Sequence, residues 1–201
     1  MIAIIDYDAG NIKSVEKAFA FLGKETVITR DSNVILNAEK VVLPGVGSFG
    51  DAMKKLKEYN LVDVINNVVK AGTPLLGICL GLQLLFDSSE ESEGVEGLGI
   101  LKGKIVRFSE KSGYKIPQIG WNSLDINPNS RIFKDIPQQS YVYFVHSYYL
   151  QAEDESVVAA SAEYTNCFHA AVEKDNVFAC QFHPEKSGEV GLRILKNFAE
   201  L

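Results

Sequence analysis

Apolar positions along the chain follow one rhythm up to about residue 86 and another after it. Ile2 to Ile5 is a continuous apolar run ending at Asp6, the pattern of a strand buried on both faces. Tyr7 to Asn11 reads as a turn. From Asn11 to Leu22 the apolar residues Ile12, Val15, Ala18, Phe19 and Leu22 recur at helical spacing, and Gly23 ends the run. Thr26 to Thr29 and Lys40 to Leu43 are further strands. Asp51 to Val69 forms one or two helices with a break near Asn60. Its inner face is Met53, Leu56, Leu61, Val64, Ile65 and Val68, and Gly72 closes it. Strands alternating with helices of these lengths predict a parallel sheet in an open α/β fold.

From Leu98 onward the pattern changes. Lys104 to Phe108, Ile116 to Leu124, Ser140 to Leu150, Val157 to Tyr164, Cys167 to Glu173 and Val177 to Phe182 all read as strands. No helix-length segment separates most of them, which predicts hairpins and an antiparallel portion. Ser187 to Leu201 is a closing helix with Val190, Ile194, Leu195 and Phe198 as its apolar stripe. No repeat, low-complexity segment or linker interrupts the chain, so residues 1–201 are expected to form a single domain.

One stretch organises the rest: Thr73 to Phe86, with the core Gly77-Ile78-Cys79-Leu80-Gly81. An apolar run enters a cysteine set between glycines, and a helix-compatible run leaves it. This is how a strand feeds a sharp turn and then a helix, the nucleophile elbow of α/β enzymes, with cysteine at the corner. A cysteine in an apolar run is most often a small buried hydrophobe. Two glycines around it argue otherwise, because glycine weakens strand and helix interiors and needs a reason to be there. Pro44 to Gly50 is the second notable stretch. Its three glycines after a buried strand suit either a flexible turn or a set of unobstructed backbone N–H donors; it has neither the lysine nor the spacing of a phosphate-binding loop. Asp87 to Gly94 reads as a solvated acidic loop.

Composition excludes several classes. With 201 residues, 46% of them hydrophobic, the chain can bury an ample core. A net charge of -6 argues against a general nucleic-acid binder. No apolar run approaches the roughly 20 residues of a membrane span, and the N-terminus is too short and too soon acidic for a signal peptide. Three cysteines do not make a disulfide framework, so a reducing cytoplasm is the simplest setting.

Cys79 needs a base, and there are three histidines. His183 follows a strand-like run, at the carboxyl edge where Cys79 is also expected. Glu185 lies two residues on, with Pro184 stiffening the connection. A carboxylate there can hold one imidazole nitrogen and aim the other at the thiol, which is triad logic with a cysteine nucleophile. Taken alone, His183-Pro184-Glu185 reads more readily as a surface turn at a strand end. His146, flanked by aromatics, reads as a buried, hydrogen-bonded ring. His169 lacks an acidic partner at comparable spacing. Cys167 and Cys180 read as structural. The Cys and His spacings are not of zinc type, and neither a metal nor a cofactor is expected.

Gly77 to Gln83 together with Gln181-Phe-His-Pro-Glu185 resembles the class I (triad) glutamine amidotransferases; the combination is specific where either half is not. Asp6 to Ile12, Leu43 to Gly50, Pro117 to Asn122, Tyr143 to Tyr148 and His183 to Ser187 narrow the resemblance to the glutaminase subunits of imidazole glycerol phosphate synthase. It spans effectively the whole chain. The resemblance implies that Cys79 attacks the side-chain amide of glutamine, with His183 as base and Glu185 orienting it. It implies an oxyanion site from the backbone N–H of Leu80 and one from Val46-Gly47. It places Gly47, Gln83, Glu91, Ser147 and Tyr148 on the substrate. It implies a separate cyclase subunit, a (β/α)8 barrel, as heterodimeric partner receiving ammonia, with Asn11, Trp121, Tyr143 and Lys186 near the contact. Trp121 and Tyr143 are alternatively core aromatics, and Asn11 a helix cap. The chain has Pro44-Gly45-Val46-Gly47 where many relatives carry Gly-Gly-Pro, so the Val46 peptide can rest with its N–H turned away and flip when the partner docks. Another glutaminase or a γ-glutamyl hydrolase of this fold would keep the triad. A cysteine redox sensor would leave His183 and Glu185 unexplained.

Overall fold

The computed structural model describes residues 1–201. The first half runs β1 (Ile2–Ile5), α1 (Ile12–Phe21), β2 (Thr26–Thr29), α2 (Ser32–Leu36), β3 (Lys40–Leu43), α3 (Phe49–Glu58), α4 (Leu61–Lys70), β4 (Leu75–Ile78) and α5 (Leu80–Leu84). The second runs β5 (Ser88–Ser89), β6 (Gly103–Arg107), β7 (Gln118–Ser123), β8 (Asp125–Ile126), β9 (Tyr141–His146), β10 (Tyr148–Ala152), β11 (Val158–Glu163), β12 (Cys167–Lys174), β13 (Val177–Cys180) and α6 (Gly188–Ala199). The main sheet has the order β2-β1-β3-β4-β13-β12-β10-β6-β5, with β11 and β8 off β12. From β2 to β13 every pairing is parallel, and from β13 through β12 and β10 to β6 every pairing is antiparallel. The expected α/β architecture with an antiparallel C-terminal portion is therefore the observed one. No helix is long and apolar enough to cross a membrane.

Alternation along the strands builds a core on each face. Ile2 and Ile4 of β1 pack with Ile12, Val15 and Phe19 of α1 and with Ile194 and Phe198 of α6. Ala3 and Ile5 face the other way, onto Ile35 of α2 and the inner faces of α3 and α4. Burial on both sides explains why the strands read as unbroken apolar runs. The predicted break between α3 and α4 falls at Asn60, which adopts φ 56°, ψ 32°; asparagine tolerates this left-handed region better than most residues.

Two expectations are corrected. The helix α2 lies where no element was expected; Asp31 caps it, its side chain accepting from the N–H groups of Asn33 and Val34. The run Ser140 to Leu150 is not one strand. It breaks at Ser147, because β9 pairs with β7 in a separate two-stranded ribbon while β10 pairs with β6 and β12 in the main sheet. An unbroken run of strand-forming residues cannot show that a chain changes sheets midway.

Gly77 and Gly81 are required where α5 crosses the sheet. A Cβ on Gly77 would lie 2.8 Å from the Gly81 carbonyl oxygen, and one on Gly81 would fall on the carbonyl oxygen of Leu43 in β3. That oxygen belongs to backbone and cannot move aside cheaply. Gly81→Ala is expected to cost at least about 3 kcal/mol, the scale of a forced overpacking. Urea unfolding measures it; a midpoint close to that of the unaltered protein would show that β3 and α5 separate freely.

Candidate active site

Cys79 sits between β4 and α5 with φ 55°, ψ -107°. A non-glycine residue at positive φ is strained by ~1–3 kcal/mol, and the surrounding bonds hold it there. Its N–H donates to the Cys180 carbonyl at 2.8 Å, which ties the elbow to the end of β13. Because β4 and β13 are adjacent parallel strands, the residues just past their ends meet. Cys79 and His183 both line a cavity of about 340 Å³, so two positions 104 residues apart become neighbours by strand order alone.

His183 is buried, at 1% exposure, and its Nδ1 lies 2.8 Å from Oε1 of Glu185, whose side chain is fully enclosed. The carboxylate accepts from Nδ1–H, so the neutral ring offers Nε2 as an acceptor. Nε2 has no hydrogen-bond partner within the chain. Asn11 donates through Nδ2 to the same Glu185 oxygen. This corrects the helix-cap alternative: Asn11 occupies the N-cap position of α1 with φ 71°, but its side chain makes no capping bond. The loop that carries Asn11 is held by Arg30, whose guanidinium bonds Asp6 at 2.9 Å and Asp8 at 2.8 Å.

The cavity also gathers Gly47, Gln83, Glu91, Ser147 and Tyr148, the residues assigned to substrate. The break at Ser147 brings the last two there. Gln83 donates through Nε2 to Gln181 Oε1 at 3.0 Å and to the Tyr148 carbonyl at 3.3 Å. Glu91 is docked rather than freely solvated. It accepts from Phe49 N–H at 2.8 Å, at the start of α3, where the helix dipole favours a carboxylate. Ser92 Oγ takes the next N–H, from Gly50, at 2.9 Å. The acidic loop is thus fastened onto the glycine-rich loop.

In this state the backbone donors assigned to the oxyanion are not both turned to the cavity. Leu80 N–H is not free; it donates to the Gly45 carbonyl at 3.3 Å. A trans peptide places C=O and N–H on opposite sides, so the Val46 N–H points away from Leu80. Tyr7, which looked like an ordinary turn residue, supports this arrangement. Tyr7 is 2% exposed, and its hydroxyl donates to the Pro44 carbonyl at 2.6 Å and fills the space a side chain on Gly45 would need. Nothing local marks Tyr7, since its partner lies 37 positions along the chain.

Of the residues assigned to a partner contact, Trp121 is 55% exposed and stacks edge-on against the half-buried Tyr143 on the β7–β9 ribbon. Neither is a core aromatic. Lys186 is exposed. All three cysteines are free; Cys167 is exposed at the start of β12, and Cys180 is buried beneath the elbow. Nowhere do three or more His, Cys, Asp or Glu side chains converge as a metal-ligand set.

The two histidines of the cavity titrate in opposite directions. Burial pushes His146 down to about 4, against the bond to the Tyr148 carbonyl. That bond, at 2.8 Å, takes Nδ1–H, and Gln118 faces Nε2 at 2.9 Å. For His183 burial also acts downward, but the facing Cys79 sulfur and the Glu185 carboxylate outweigh it and raise the ring to about 9. Unfolded, both titrate near 6.5. Between about 4 and 6.5 the unfolded His146 binds a proton that the folded one does not, so stability rises with pH. His183 adds no matching alkaline limb, because it is raised by the charge of the sulfur whose proton it takes, and the pair as a whole binds no extra proton. Urea unfolding should show stability rising from about pH 4 to 6.5, and His146→Gln should flatten that rise. A rise unchanged by His146→Gln would show that the ring does not titrate there.

Comparison with known proteins gives a consistent picture. The family "Glutamine amidotransferase class-I" matches residues 3–201. The chain is 51% identical over 206 residues to the imidazole glycerol phosphate synthase subunit HisH of Syntrophotalea carbinolica, covering 100% of both. It is 47% identical to the subunit of that name from Methanocaldococcus jannaschii, again covering 100% of both. Among solved structures, a glutamine amidotransferase matches with TM-score 0.77 at 20% identity over 100% of this chain and 98% of that one. PurLQS from Thermotoga maritima matches with TM-score 0.77 at 22% identity, over 99% and 97% respectively. At these identities the two structures speak for the fold.

Proposed function

The chain belongs to the class-I glutamine amidotransferases, and from that premise we propose that Cys79, His183 and Glu185 hydrolyse glutamine to glutamate and ammonia in the glutaminase subunit of imidazole glycerol phosphate synthase. One observation carries the assignment of residues: a strained cysteine elbow and a buried His–Glu pair, from adjacent strand ends, line one cavity.

The chemistry follows from the atoms. The Cys79 thiol gives its proton to His183 Nε2, and the sulfur bonds to the side-chain amide carbon of glutamine. The C–N bond then breaks as His183 returns the proton to the departing nitrogen, which leaves as ammonia. Water, deprotonated by the same Nε2, attacks the thioester; the C–S bond breaks and glutamate departs. Glu185 keeps Nδ1 protonated and the ring aimed, and Asn11 holds Glu185. Gln83, Glu91, Ser147 and Tyr148 surround the rest of the substrate. The negative oxygen of each tetrahedral intermediate is met by Leu80 N–H and by an N–H of Val46-Gly47 once the Gly45–Val46 peptide has turned.

The relatives' shared name is that of a subunit, so the ammonia has an acceptor on another chain. We take it to be a cyclase, a (β/α)8 barrel, paired with this chain as a heterodimer in histidine biosynthesis. Trp121, Tyr143, Lys186 and Asn11 lie on its side, and ammonia passes internally. Three free cysteines suit a reducing compartment such as the cytoplasm. The test is glutamate release by the chain alone and with a matching cyclase and its nucleotide substrate. Strong release only with both supports the proposal. Release without stimulation would move the chain to another glutaminase, and no release under any condition would remove the nucleophile assignment.

A further inference from the structure

Gln181 has no exposed surface and takes no part in the steps above. It follows β13 directly, and its backbone N–H donates to the Ala170 carbonyl at 2.8 Å, fixing where the side chain begins. Both ends of its amide are engaged. Oε1 accepts from Gln83 Nε2 at 3.0 Å, and Nε2 lies 3.6 Å from Cys79 Sγ. These ends cannot be exchanged. Gln83 also faces the Tyr148 carbonyl at 3.3 Å, and a carbonyl only accepts, so the Gln83 end placed there is its NH2 group. The same NH2 group faces Gln181. Gln181 must therefore offer its oxygen to Gln83 and its NH2 to the sulfur. A backbone carbonyl decides, two amides away, which atom touches the nucleophile.

We propose that Gln181 is a positioning residue for Cys79, its amide N–H donating to the sulfur and stabilising it whenever it carries negative charge. The proposal rests on the reading of Cys79 as nucleophile. Charge reaches the sulfur twice in the cycle: when the thiol proton has passed to His183 Nε2, before the C–S bond forms, and when that bond breaks and the thiolate leaves glutamate. Gln181 forms and breaks no covalent bond and exchanges no proton. A hydrogen bond to an ion is about twice as strong as one between neutral groups, so the donor acts on the charged sulfur far more than on the thiol or thioester. It should therefore influence kcat and not KM.

The test is the rate of Cys79 alkylation by iodoacetamide as a function of pH, in a Cys167→Ser background that removes the exposed competing thiol. Gln181→Met keeps the length and removes the donor. Its rate should rise only at higher pH and should be about 10- to 100-fold lower near neutrality, the factor for a lost hydrogen bond to a charged group. In the complex with cyclase and nucleotide, kcat should fall by a similar factor with KM within about twofold. Should that variant not fold, Gln181→Glu keeps the shape and the acceptor toward Gln83, and at alkaline pH it turns a carboxylate oxygen on the sulfur and slows alkylation likewise. A folded variant that follows the unaltered curve overturns the proposal. If alkylating Cys79 leaves glutamine hydrolysis intact, the nucleophile assignment itself fails and takes the proposal with it; that result appears in the parent protein, before any change at Gln181.

Discussion

Cys79→Ala should lower glutamine hydrolysis by at least about 10⁴-fold, the scale on which loss of a nucleophile acts in a triad. Neither of the other cysteines can replace the sulfur. Cys180 is fully enclosed, its S–H placed 3.5 Å from the Phe182 carbonyl, and Cys167 is exposed elsewhere on β12. The substitution removes one atom that is almost wholly buried and leaves the φ 55° backbone in place, since alanine meets the same strain as cysteine. The melting temperature should stay within about 4 °C, as expected for about 1 kcal/mol in a chain of this size. The measurement is glutamate release in the presence of the cyclase, with thermal unfolding run alongside. Residual hydrolysis above about one per cent would mean that the covalent route is not the main one.

Docking of the proposed cyclase should raise kcat for glutamine by at least roughly 10²–10³-fold, the effect of supplying a single oxyanion donor. In the free chain the Gly45 carbonyl occupies the Leu80 N–H at 3.3 Å. An oxygen there would repel the developing oxyanion. Turning the Gly45–Val46 peptide replaces that acceptor with the Val46 N–H and frees Leu80, so the site goes from blocked to two donors. The flanking residues permit the turn: Gly45 carries no side chain to oppose it, and Gly47 already stands at φ 107°. Val46 is exposed at 40% and touches the Gly10 segment, which puts the hinge where an incoming subunit can reach it. The gain should appear in kcat, since the oxyanion exists only past the ground state. Val46→Pro removes that N–H. Its complex, with assembly checked by size, should be no faster than the free unaltered chain. A free chain already as fast as the complex would show that the peptide turns without help.

Much of this was legible in the order of residues because it is local. The two-faced strands show as apolar runs, the helices as stripes, and the elbow as a cysteine between two glycines. His183 and Glu185 sit two positions apart on a stiffened turn, so their pairing was readable as well. What stayed hidden involves residues far apart in the chain. Asn11 reaches Glu185 across 174 positions, Tyr7 reaches Pro44 across 37, and Gln181 reaches Cys79 across 102. No periodicity records such contacts, because periodicity reports which face of an element is buried and not what it is buried against. The change of sheet at Ser147 was invisible for the same reason: both strands lie in one unbroken run of strand-forming residues, and only their partners differ.

The sequence by itself determined the fold class, the elbow and the pairing of His183 with Glu185, each a matter of short-range pattern and residue type. Only the tertiary structure decided whether the site is open. Glycines at 45 and 47 allow the peptide between them to face either way at little steric cost, so residue order leaves the two states equivalent. The bond from Leu80 N–H to the Gly45 carbonyl, with Tyr7 holding Pro44 beneath it, selects the closed one.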